Sequence, residues 1–167
     1  MRKRLIITAA TLAAGMASAI TLTVAQADAH AASGPHTDGS AGYKATGQVT
    51  FVEHAITDTV VDLGPTGDSL GDLLAFANPV FNATDTTQVG SDQGSCVRTA
   101  VGKSWECSWS TYLKAGAIMV QGPFSDSGGS VLAITGGTGA YAGAQGTMTL
   151  RYRNKAGTAF DFIFHLL

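Results

Sequence analysis

The chain carries little charge. Only 13% of its residues are Asp, Glu, Lys or Arg, with ten basic side chains against twelve acidic ones. Three of the ten are Arg2, Lys3 and Arg4; without them seven basic side chains face twelve acidic, a net charge of −5. No basic patch stands out, which argues against nucleic acid as a partner. The four histidines, His30, His36, His54 and His165, are scattered, so no metal-ligand set emerges. A Gly-x-Ser-x-Gly elbow is missing, and no Ser/His/Asp arrangement stands in for it. Glycine is plentiful, yet the cluster Thr135 to Gly146 lacks the Gly-Lys-Ser/Thr of a phosphate loop and no helix pattern follows it. Those glycines read instead as tight turns and close strand approaches. Beyond the first 25 residues no amphipathic helix is visible.

What is present begins with a charged start and a long uncharged run, Leu5 to Ala25, rich in Ala, Leu, Ile and Thr. Small-x-small sites follow at Ala25-Gln26-Ala27 and Ala27-Asp28-Ala29. Residues 1–27 therefore read as a secretory signal peptide, and the chain as secreted or extracytoplasmic. The run is close to the length that spans a bilayer, so an uncleaved anchor is the rival reading and the one route to a membrane. Frequent Thr and Ala make the run only mildly hydrophobic, which favours cleavage. Residues 28–42 are small, polar and aperiodic, as in a flexible tail. Residues 43–167 are enough for one domain with a real core.

There are only two cysteines, Cys96 and Cys107. An exported chain with an even count points to a disulfide. A hairpin turning at Val101-Gly102 would place the two directly opposite one another on one sheet face. Two reduced, buried thiols are the alternative.

Short apolar runs punctuated by Gly, Asp, Asn and Ser give about eight strands, near 46–61, 71–82, 87–100, 104–113, 116–124, 130–135, 145–153 and 158–166. Such spacing implies an all-β sandwich or a closed barrel, and eight antiparallel strands closed into a barrel leave room for one small ligand. Alternation puts Phe51, Glu53 and Ala55 on one face, then Leu74, Phe76 and Asn78. Trp105, Cys107 and Trp109 share a further face, as do Ile118, Val120 and Phe124. A barrel lined this way is apolar and aromatic with few polar groups, the usual make-up of a small-molecule pocket.

Glu53 is the sharpest polar residue, because Val49, Phe51 and Ala55 on its face are apolar. A carboxyl in that setting has a raised pKa and can act as acid, base or charge stabiliser. The bland reading is a solvated residue at a barrel rim. His54 points to the opposite face and reads as a surface residue. Asn82-Ala83-Thr84 matches a glycosylation acceptor, which is weak evidence at three residues.

Four segments carry a family resemblance. Gly71-Asp72-Leu73-Leu74-Ala75-Phe76-Ala77-Asn78 resembles the Gly-Asp-Leu-x-x-Phe-x-Asn segment of plant allene oxide cyclases. Gly94-Ser95-Cys96 is similar to their Gly-x-Cys, and Val120-Gln121-Gly122-Pro123-Phe124 and Leu132-Ala133-Ile134-Thr135-Gly136-Gly137-Thr138-Gly139 resemble two further signatures. The resemblance covers Gln48 to the C-terminus with the segments in order, and dirigent proteins are more distant relatives of the same barrel. It implies an eight-stranded antiparallel barrel, often a homotrimer, with an apolar cavity and no cofactor. The implied reaction folds an unstable fatty-acid epoxide and steers its closure to a cyclopentenone.

The resemblance puts Glu53 at the family's active-site glutamate, Asn78 at its water-holding asparagine and Cys96 at its cavity cysteine. Phe51, Phe76, Trp105, Trp109, Ile118, Val120 and Phe124 are the expected binding wall. Three positions depart from the pattern. Ala55 stands where a second asparagine is expected, Val61-Asp62 where a Ser-Pro pair is, and Phe124 where a tyrosine is. The carboxylate is kept while half of its water-holding shell is not. Three functions follow: a cofactor-free cyclase or isomerase on an apolar, fatty-acid- or terpenoid-like molecule; a non-catalytic, dirigent-like or lipophile-binding barrel; and a cell-surface structural module.

Overall fold

A computed structural model describes residues 45–167. The expected signal peptide and tail lie outside the described residues. Nine strands follow in order: β1 (Gly47–His54), β2 (Thr59–Val61), β3 (Leu73–Asn82), β4 (Gln88–Ala100), β5 (Ser104–Leu113), β6 (Gly116–Ser125), β7 (Ser130–Gly137), β8 (Gly146–Tyr152) and β9 (Ala159–Leu166). A single 3-10 turn, Gly139–Tyr141, lies between β7 and β8. All pairings are antiparallel, in the order β1-β9-β8-β7-β6-β5-β4-β3-β2, and β1 also pairs with β3. That last pairing closes an eight-position barrel in which β1 and β2 share one position.

The period-2 pattern explains the closure. Phe160, Phe162, Phe164 and Leu166 of β9 are all buried, as are Met148 and Leu150 of β8. Trp105, Cys107, Trp109 and Thr111 of β5 point the same way. Each fully buried Phe contributes about 2–3 kcal/mol, so one β9 row outweighs any single polar contact in the barrel. Close packing also demands glycine at particular places. A Cβ on Gly94 would collide with Trp109 and Ser108 across the β4–β5 ladder. Gly146 has φ +132° and lies against the His165 carbonyl, so the glycine cluster serves strand approach.

The β4–β5 turn falls at 101–103, with Gly102 at φ +64°. Cys96 and Cys107 are directly opposed in the ladder and form a disulfide. Below this hairpin, Asp72 of the Gly-Asp-Leu segment accepts from Leu63 N (3.0 Å), Ser69 N (2.8 Å) and Ser69 Oγ (2.9 Å). The backbone donors hold its carboxyl below the ordinary value and pin the 62–70 loop across the barrel end. Arg98 secures the same end. Its Nε lies 2.6 Å from Asp68, its Nη1 2.7 Å from Asp126, and its guanidinium stacks 3.9 Å above the Trp105 ring.

Candidate functional site

The expected first strand, 46–61, is interrupted. Glu53 pairs with Val80, and Thr59 pairs with Ala75, so the register advances by one residue between them. That extra residue is a β-bulge, and bulges re-aim the side chains around them. Asn78 stands opposite it and satisfies the freed backbone. Its Oδ1 accepts from Ile56 N (3.0 Å), Thr57 N (2.9 Å) and Thr57 Oγ1 (3.0 Å), while Thr57 Oγ1 accepts from Ala77 N (2.7 Å).

With Oδ1 committed to the bulge, the Asn78 amide is oriented. Its Nδ2 donates to Glu53 Oε1 at 2.7 Å and to Asp58 Oδ1 at 2.7 Å. The backbone N of Asn78 donates to Asp92 Oδ1 at 3.2 Å. One asparagine thus gathers three carboxyl groups. Glu53 and Asp92 are buried, and Asp58 is exposed. Among the described residues no Lys or Arg pairs with any of them. Burial above all, then the neighbouring Asp92 charge, holds the Glu53 carboxyl well above its ordinary range, against the opposing Asn78 hydrogen bond. Burial likewise pushes Asp92 up to about 7.

Glu53 and Asp58 form the polar corner of a pocket whose remaining walls are Leu74, Phe76, Trp109, Phe124, Leu150, Phe160, Phe162 and the Cys96–Cys107 disulfide. Trp109 packs between Phe76 and Phe162, with ring centroids 6.0 and 5.5 Å away. The pocket has about 30 Å³ of room for water centres, enough for about two waters. Asp58, Phe124 and Phe160 also border an outer groove of about 340 Å³, walled further by Asp126, Tyr152, Lys155, Ala156 and Gly157. Asp58, Phe124 and Phe160 thus border both the pocket and the groove.

Of the residues expected from sequence, the pocket brings together Glu53, Phe76, Cys96, Trp109 and Phe124, with Asn78 tied to Glu53. Phe51, Trp105, Ile118 and Val120 do not line it. Phe51 packs edge-on against Phe164, and Ile118 and Val120 are sealed in the core. Trp105 belongs to the Arg98 cluster and donates from Nε1 to Asp126 Oδ1 at 3.2 Å. His54 is on the outer side, stacked on Phe81 with its Nε2 2.7 Å from Asp85. Asn82 has its side chain occupied within the β3–β4 turn, bonded to Thr84 and Thr86. Asp58 and Asp92 were not anticipated. Asp92 lies two alternations before Cys96 on β4, so an inward Cys96 already implies an inward Asp92.

The described residues contain no helix long and apolar enough to cross a membrane. Comparison with known proteins places the barrel. A solved structure described as pyocyanin demethylase is 26% identical, covers 70% of this chain and 99% of its own, and superposes with a TM-score of 0.61. A pterocarpan synthase dirigent protein is 18% identical, with 71% and 94% covered and a TM-score of 0.58. An exo-specific intermolecular Diels-Alderase is 14% identical, with 71% and 96% covered and a TM-score of 0.58. The last two share the fold. The allene oxide cyclase family model matches residues 57–158, most of the barrel and all of the Gly-Asp-Leu-to-glycine-cluster signatures. The chain belongs to the allene oxide cyclase family.

Proposed function

We propose that the chain is an exported, cofactor-free cyclase or isomerase that takes a small, largely apolar molecule carrying an oxygen acceptor. The observation that carries this reading is the Asn78–Glu53 hydrogen bond at the foot of an aromatic pocket. Asn78 fixes one Glu53 oxygen, and burial raises the pKa of the carboxyl, which favours its protonated form. A neutral carboxyl in a dry site is a hydrogen-bond donor, able to polarise an epoxide or carbonyl oxygen. As the strained C–O bond opens, its electron pair moves to that oxygen. Positive charge spreads over the carbon framework, facing the rings of Phe76, Trp109 and Phe162. Ring closure within one molecule adds and removes no atoms or electrons, so the chemistry asks of the protein only polarisation and a folded conformer.

We infer that ligands enter from the outer groove past the half-buried Phe124 ring, which borders both spaces. A planar or slender substrate fits that route best; the 26%-identical relative is described as a pyocyanin demethylase. The dirigent-like alternative, orienting a reactive molecule without chemistry, uses the same pocket and leaves the Glu53 proton idle. A purely structural role would gain support from a solvent-facing Glu53, and Glu53 is 5% exposed. The uncharged N-terminal run and the disulfide support export.

The test is product stereochemistry. An unstable fatty-acid epoxide generated in the presence of the barrel is expected to give one cyclopentenone enantiomer in excess. A racemic product at saturating protein would sink the cyclase reading for this substrate class.

A further inference from the structure

We propose that Asp92 is the proton partner of Glu53: the two buried carboxyls share one proton behind the pocket floor, and Asp92 keeps Glu53 in its acid form. Asp92 does not line the pocket, so its role is that of a positioning residue. The inference deepens the reading above and rests on it only for its use in catalysis, because the shared proton belongs to the folded chain itself.

Four elements converge on the pair. Asp92 faces Asn78 across the β3–β4 ladder and Thr111 across the β4–β5 ladder. It is fully buried. Its Oδ1 accepts from Asn78 N, and its Oδ2 has no partner among the described residues. Leaving a buried carboxylate oxygen unpaired forfeits its hydration without replacement, so a donor is required. The groups facing the pair are Glu53 from β1, Asp58 from the bulge, the Asn78 amide from β3 and the Thr111 hydroxyl from β5. None is a cation. Arg98, further along β4, is committed to Asp68 and Asp126.

Glu53 is the group that can supply the hydrogen. Its Oε1 is occupied by Asn78, leaving Oε2 for a proton, and Asn78 holds both carboxyls, Glu53 through its Nδ2 at 2.7 Å and Asp92 through its backbone N at 3.2 Å. Two adjacent carboxyls in an apolar setting do not both ionise, so the pair titrates as one unit. Glu53 then holds the proton and Asp92 the charge. When a ligand oxygen arrives, the Glu53 hydrogen turns towards it. The negative charge on Asp92 remains behind to offset positive charge on the substrate carbons.

The chain has only two glutamates, Glu53 and Glu106, and Glu106 is exposed. Glutamate labelled with 13C at the side-chain carboxyl therefore gives two resonances, assigned with Glu53→Gln. In the unmodified chain the Glu53 resonance is expected to titrate above the ordinary glutamate range. In Asp92→Asn, which keeps an acceptor for Asn78 N, its midpoint is expected to drop by about one pH unit or more. An unchanged midpoint overturns the proposal. Should Asp92→Asn not fold, aspartate labelling of Glu53→Leu, which removes the donor at similar size, replaces it. The aspartate resonance with a midpoint near 7 is then expected to move up, and one that stays in place or moves down overturns the proposal. Neither result depends on turnover, so a failed cyclase assay leaves this test intact.

Discussion

Asn78 donates its side-chain amide to Glu53 at 2.7 Å while its carbonyl oxygen holds the backbone of Ile56 and Thr57. The same side chain therefore builds the bulge and aims the acid. Asn78→Ala removes acceptor and donors together and strands several backbone N–H groups. We expect a loss of about 2–4 kcal/mol in urea unfolding, from more than one unsatisfied group. Asn78→Asp keeps the acceptor but adds a fourth carboxyl. It is expected to unfold at lower urea at pH 8 than at pH 5.

The Glu53–Asp92 pair gives stability a pH dependence of known sign. Both groups have folded pKa values above their unfolded ones, about 7 against an ordinary 3.8 for Asp92. The native state binds the extra protons, so the pair's contribution is fully present below about pH 4. It is lost as pH rises through about 7 for Asp92, and as pH rises through the raised folded value of Glu53. Relative to Asp92→Asn, the unmodified chain is expected to lose up to about 1.4 kcal/mol per pH unit over that window. Denaturant melts of both proteins from pH 4 to 8 measure this difference. A flat difference would remove the buried carboxyl from the account.

Which parts of this were legible beforehand follows from what alternation encodes. It reports the face a side chain takes, and so placed Glu53, Phe76, Trp109 and Phe124 inward. It does not report depth along the barrel. Trp105 shares a face with Trp109 but lies at the barrel end, where Arg98 claims it. The bulge was hidden for another reason. An extra residue in β1–β2 shows only against the register of β3, which no single strand carries. At Ala55 and Val61-Asp62 the polar residues expected from the resemblance are missing, and the carboxyls that Asn78 contacts beside Glu53 are Asp58 from the bulge and Asp92 from the neighbouring strand.

Phe124 lines both the pocket and the outer groove. Phe124→Ala is expected to join the two spaces and to raise affinity for bulky apolar probes, read as quenching of Trp109 fluorescence. The side chain is only half-buried, so the stability cost should be about 1–2 kcal/mol, below that of a core phenylalanine. Unchanged probe affinity would move the entrance elsewhere.

The Cys96–Cys107 bridge closes a hairpin of sequence separation 11 and forms part of the pocket wall. Replacing both cysteines with serine is expected to cost about 2–3 kcal/mol in thermal or urea unfolding. It also puts two hydroxyls beside Phe76 and Trp109, so apolar probe binding should weaken. Full stability in the double variant would mean that the hairpin is held by its ladder alone.

The central claim is that the Glu53 proton does the chemistry. Glu53→Gln keeps the size of the side chain and a hydrogen-bonding group for Asn78, and it removes the acid. The deciding measurement is stereoselective ring closure of an unstable fatty-acid epoxide by the two proteins, with ligand binding followed in parallel by Trp109 quenching. We expect turnover to fall by about 10²–10⁴-fold in Glu53→Gln while saturable binding persists. Equal rates and equal enantiomer ratios from the two proteins would contradict the account.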